Sequence, residues 1–169
     1  MADPTAPMTR GVARELVERC GEQVLFLQHR RRQTREESRP GLGSGTIPLV
    51  AVAASAVYVI GTPGRAAEIR PQRERGRTIE VLADASALLD DLDRQLTAVR
   101  LALADRTIVA RSMLCLHPRT GSLVGSPTVA GVPLLTPAGA ARVLTSPGRL
   151  DGPARQAVYE RLAHRLPPT

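Results

Sequence analysis

Leu88, Leu89, Leu92, Leu96, Val99 and Leu103 recur three and four residues apart, with Asp90, Asp91, Asp93, Arg94, Gln95 and Arg100 between them. This spacing predicts a long amphipathic helix whose polar side, Gln95 included, faces water. Ala13, Leu16, Val17 and Cys20 repeat the pattern nearer the start, with Thr9 placed to cap that first helix and Gly21 to end it. Elsewhere the apolar residues form short continuous runs, as strands do. Gln23 to His29 is bounded by Gly21 and an arginine run, and Ile47 to Val52 and Ala56 to Ile60 flank the small residues Ala53, Ala54 and Ser55. The latter pair predicts a β-hairpin buried on both faces. Thr78 to Leu82, Ile108 to His117 and Val132 to Leu135 read as further strands. Thr136 before Pro137 is an N-cap with proline at the first helical position, opening a helix to about Leu144, and Asp151 before Gly152 and Pro153 opens the last.

Helix, strand, hairpin, strand, helix, strand, strand, helix, helix is a mixed α/β order, which predicts a mixed central sheet with flanking helices. At 169 residues the chain suits one domain. That domain is expected over residues 9–169, after a disordered lead-in at 1–8 that contains two prolines and no periodicity.

Charge changes this picture more than any other property. All 23 basic residues are arginine, and the net charge is +7. No side-chain amine is present to act as a base or point at a phosphate, and arginine stays protonated. Between His29 and Arg39, five arginines against two glutamates leave +3, and between Arg65 and Arg77 five against two leave another +3. Two such segments suit phosphate backbones or an acidic partner, and equally suit solvated, self-paired loops. Aromatic residues are scarce, with Phe26, Tyr58 and Tyr159 the whole stock, so stacking on bases has little to work with.

Other chemistries find little footing. Cys20 and Cys115 lack CxxC spacing and read as reduced, packed thiols, while His29, His117 and His164 lack a zinc-like arrangement, so no metal or cofactor is expected. Gly41 to Gly45 is glycine-rich without the lysine of a nucleotide loop. The uncharged stretch Pro40 to Gly64 has an apolar heart, Ile47 to Ile60, short of the ~20 residues a spanning helix needs. The first twenty residues have no apolar signal region. A cytoplasmic location without a membrane partner is expected.

GTIPLVAVAASAVYVIGTP (Gly45 to Pro63) resembles the hairpin of the nuclease-related domain (NERD) family of the restriction-endonuclease-like superfamily. LDRQLTAVRLAL, MLCLHP and GVPLLTPAGAARVL are similar to that family's long helix, following strand, and late strand and helix, so the resemblance runs from about Gly11 to Pro168. It implies a restriction-endonuclease-like core. It also implies an Asp at one strand start and (Asp/Glu)-x-Lys at the end of the next. Those positions here hold Pro48, Gly61 and Pro63, so the family's acids and lysine are gone. The family's N-terminal glutamate would fall near Met8 or Thr9, and Gln95 falls where the superfamily often carries a glutamine. A Mg²⁺ site needs converging carboxylates, yet no Asp, Glu or His occurs from Ser38 to Ala67.

The expectation is therefore a pseudoenzyme that binds DNA or another polyanion through Arg30, Arg31, Arg32, Arg35, Arg70, Arg73, Arg75 and Arg77. A structural or protein-interaction module with an acidic protein partner is the alternative from another class. A third is a metal-dependent nuclease whose acids have migrated to Glu15, Glu18, Glu68 or Glu80.

Overall fold

The computed structural model describes residues 6–32, 45–63, 69–74, 77–82, 85–117 and 127–169. In chain order the elements are α1 (Ala6–Cys20), β1 (Leu25–Arg31), β2 (Thr46–Val52), β3 (Val57–Gly61), β4 (Ile69–Glu74) and β5 (Arg77–Leu82). There follow α2 (Ser86–Leu103), β6 (Ala110–Cys115), β7 (Thr128–Val129), β8 (Val132–Leu135), α3 (Pro137–Leu144) and α4 (Gly152–Arg165). Six strands form one mixed sheet in the order β1-β2-β3-β6-β8-β7, and β4 and β5 pair apart from it. β1, β2 and β3 are antiparallel neighbours, whereas β3, β6 and β8 run parallel.

Strand alternation splits the core into two layers. Ile47, Val50, Val52, Val57, Val59 and Leu114 pack with Leu92, Leu96, Val99 and Leu103 of α2 and Val158 and Leu162 of α4. Leu49, Ala51, Tyr58, Ile60, Met113 and Cys115 pack on the other face with Val12, Ala13 and Leu16 of α1 and Ala140, Ala141 and Leu144 of α3. The sheet is thus covered by a helix pair on each side, which is why its central strands read as continuous apolar runs.

Local chemistry sets the element ends as the sequence implies. Thr136 Oγ1 accepts from the Gly139 amide at 3.2 Å, Asp151 Oδ1 accepts from the Ala154 amide at 2.8 Å, and Gly21 leaves α1 at a φ of +57°. The carbonyls at the end of α2 are taken by arginines of α4: Arg161 donates to Leu103 O and Arg165 to Ala102 O, each at 3.0 Å. Cations at this negative helix end are favourable, so part of the arginine content holds the fold together.

Four expectations are corrected. α1 begins at Ala6 rather than Thr9, since proline is tolerated in a first helical turn; Thr9 is buried inside the helix. The buried stripe of α1 is Val12, Ala13, Leu16 and Cys20, leaving Val17 exposed. The basic stretch before Thr78, read as a loop, contains β4, and Pro71 is accommodated because a two-stranded ribbon has only edges. Gln95 is 5% exposed rather than solvated. It stands three residues after Leu92 and four before Val99, so the α2 packing stripe itself carries it inward. Among the described residues, no helix is long and apolar enough to cross a membrane.

Candidate functional site

The positions singled out by the hairpin resemblance stand at the end of the sheet where β1, β3 and β6 finish and β2 begins. β2 and β3 are paired from Val50 and Val59 to Val52 and Val57, and not where Pro48 and Gly61 stand. Pro48 has no amide hydrogen for a ladder bond. On its other side, β1 and β2 pair at Gln28 with Leu49 and at Arg30 with Ile47, skipping His29 and Pro48, and His29 has a φ of +48°. Residues 29 and 48 therefore mark a shared kink.

Gly61 is directed into the packing between β6 and α2. A Cβ there would lie 3.0 Å from Leu114 Cδ2 and 3.3 Å from Leu92 Cδ1. Both leucines are buried, as are Thr62 and Pro63. A carboxylate at 61 would sit in hydrocarbon without a paired cation, which is strongly unfavourable. Among the described residues, no group of three or more His, Cys, Asp or Glu could hold a metal ion.

Two of the four acids considered as migrated ligands are engaged in ion pairs. Glu15 pairs with Arg19 at 2.7 Å and Glu18 with Arg14 at 3.1 Å, both along the surface of α1. Glu68 lies outside the described residues, and Glu80 stands in β5 opposite Pro71. On the α1 side of the same sheet end, the half-buried His117 ring packs across Gly11, where a Cβ would come within 2.9 Å of Nε2. Cys115, at the end of β6, is buried, and desolvation together with the charge of Glu15 pushes its thiol up to about 12. Neither cysteine is bonded to another, and a buried protonated thiol is a poor nucleophile.

The arginines fall into distinct environments. Arg31 is exposed at the end of β1, and Arg30 beside it is half-buried with its Nε lacking a hydrogen-bond partner. Pro167 O accepts from the Arg31 amide at 2.7 Å and the Thr169 amide donates to His29 O at 3.0 Å, so residues 167–169 cover the outer edge of β1. Arg32 is 6% exposed, and its Nη2 lies 3.7 Å from Asp91 Oδ1. That burial removes Arg32 from the groups able to meet a ligand. Arg35 and Arg75 lie outside the described residues.

Arg70 and Arg73 stand in β4 and Arg77 in β5; pairing puts positions 70 and 77 on one face of the ribbon and 73 on the other. β5 comes beside β7, at the opposite edge of the main sheet from β1. Five strand spacings separate those edges, roughly 24 Å. The described arginines of the first basic segment and those of β4 and β5 therefore stand at opposite edges of the sheet.

Sequence reading missed two partners of this end on α2, the half-buried Asp91 and the buried Gln95. Gln95 Nε2 donates to Asp91 Oδ2 at 2.7 Å, and Arg94 Nη2 lies 3.8 Å from Asp91 Oδ1. The signal for Gln95 was its place in the leucine stripe. Nothing in the sequence pairs Asp91 with Arg32, which is 59 residues away.

A scan against protein-family models, a search of curated proteins and a search of solved structures each return no match for the chain.

Proposed function

We propose that this chain is a catalytically degenerate nuclease-related domain, with a restriction-endonuclease-like core, that binds the phosphate backbone of duplex DNA without cutting it. The observation that carries the reading is the filled position at Gly61, closed by Leu92 and Leu114, on a chain whose charge excess stands in two arginine segments. The order of hairpin, long helix and parallel strand is the one the resemblance implies, and supports it. Burial of the aromatics supports backbone contact over base stacking: Tyr58 is in the core, and Phe26 and Tyr159 pack against it. Unpaired buried thiols fit a reducing, cytoplasmic setting.

With Arg32 withdrawn, five of the six excess charges in the two segments stay available, and log K against log salt falls no more steeply than about −4.5. The test is a double charge reversal, Arg30→Glu with Arg31→Glu, assayed with labelled duplex. Weakened, less salt-sensitive binding is the expected result; unchanged binding contradicts the reading.

The interaction-module reading has one observation in its favour, the apolar side chains of Leu101 and Val109, which are 73% and 46% exposed. Capture of an acidic protein that survives nuclease treatment, with no duplex binding, is the outcome that selects it.

A further inference from the structure

Asp91 is the meeting point of three side chains from two elements. Arg32, the residue after β1, reaches it from the sheet, while Arg94 and Gln95 reach it along α2. Arg32 and Gln95 are 6% and 5% exposed, whereas the Asp91 and Arg94 side chains are 35% and 44% exposed, so the cluster runs from the interior to the surface. A guanidinium so far from water favours a nearby counter-charge, and the half-buried Asp91 carboxylate stands within ion-pair distance of it. Arg32 also fixes backbone: its amide donates to Gly45 O at 2.5 Å, closing the β1-β2 ladder above Arg31 and Thr46.

Arg30 and Arg31 are the two residues immediately before this anchor, in a strand end also paired with Ile47 and Thr46 and bonded to Pro167, so Arg32 is the fixed point that follows them. We infer that Asp91 is a positioning residue for the arginine end of β1: by retaining Arg32 inside, it fixes where Arg30 and Arg31 present their charge. This rests on the proposed phosphate-binding role of that end.

The inference makes a prediction opposite in sign to simple electrostatics. Removing a negative charge from a protein strengthens its attraction to a polyanion. Asp93→Asn, at an exposed position of the same helix, is expected to do so. Asp91→Asn removes the same charge yet is expected to bind labelled duplex about fivefold to tenfold more weakly, with a salt slope shallower by about one. Duplex binding that tightens in both variants overturns the inference.

A second readout separates this from failure of the DNA-binding role. Amide hydrogen exchange is expected to accelerate at Arg31 and Arg32 in Asp91→Asn and to stay unchanged in Asp93→Asn; equal protection in both overturns the anchor whether or not DNA binds. Absence of wild-type duplex binding together with accelerated exchange leaves the anchor standing and overturns the binding role. If Asp91→Asn fails to fold, Gln95→Met removes the amide that holds the Asp91 carboxylate and leaves every charge in place. Weaker binding with faster exchange at Arg31 supports the inference, and wild-type behaviour in both overturns it.

Discussion

A Cβ built on Gly61 would lie 3.3 Å from Leu92 Cδ1, so the strand position where the resembled family carries an acid is here a contact between β3 and α2. Gly61→Ala is expected to cost little, since a leucine side chain can yield. Gly61→Asp is expected to destabilise by about 3 kcal/mol through a carboxylate buried without a partner. It gains no Mg²⁺-dependent cleavage. Urea denaturation and a plasmid-nicking assay check both halves.

Gly148 packs against the turn between β2 and β3, where an added Cβ would run into the Ala54 carbonyl and Ser55 Cα. The Leu150 amide donates to that same carbonyl at 3.0 Å. Backbone cannot yield as a side chain does. Gly148→Val is therefore expected to cost about 2 to 4 kcal/mol and lower the thermal midpoint.

The guanidiniums of Arg161 and Arg165 end α2 by taking the carbonyls of Leu103 and Ala102. Arg161→Ala and Arg165→Ala are each expected to cost about 1 kcal/mol without altering duplex binding. Denaturation together with an anisotropy titration checks this. Weakened DNA binding at unchanged stability would show instead that these arginines meet phosphate.

Cys115 and Cys20 supply an alkaline signature. Burial raises both thiols, Cys115 from 9.0 to about 12, so the folded state keeps its protons where the unfolded chain begins to lose them. The contribution to stability is fully present below pH 9 and is lost as pH rises through the folded value. Denaturation midpoints are expected to fall between pH 9 and 12, less so in Cys115→Ala. A disulfide-exchange reagent at neutral pH should label neither native thiol.

The sheet's central strands and three of the caps were legible because their causes are local: apolar runs, Thr136 with Pro137, Asp151, and Gly21 after α1. β7 was missed because two residues, Thr128 and Val129, give no periodicity to read. β4 was missed because arginine and proline rarely mark a strand. At the candidate site, the residue types at Pro48, Gly61 and Pro63 were readable directly. That Gly61 faces Leu92 and Leu114, and that Arg32 turns inward to Asp91, depends on contacts between segments far apart in the chain. Single-residue patterns carry no such information.

The most direct test of a non-cutting phosphate binder is a titration of the protein into labelled duplex DNA at two salt concentrations, with and without Mg²⁺, following binding and strand integrity together. The account predicts binding that weakens with salt and DNA that stays intact under every condition. Cleavage that requires Mg²⁺, or no binding at the lower salt, would contradict it.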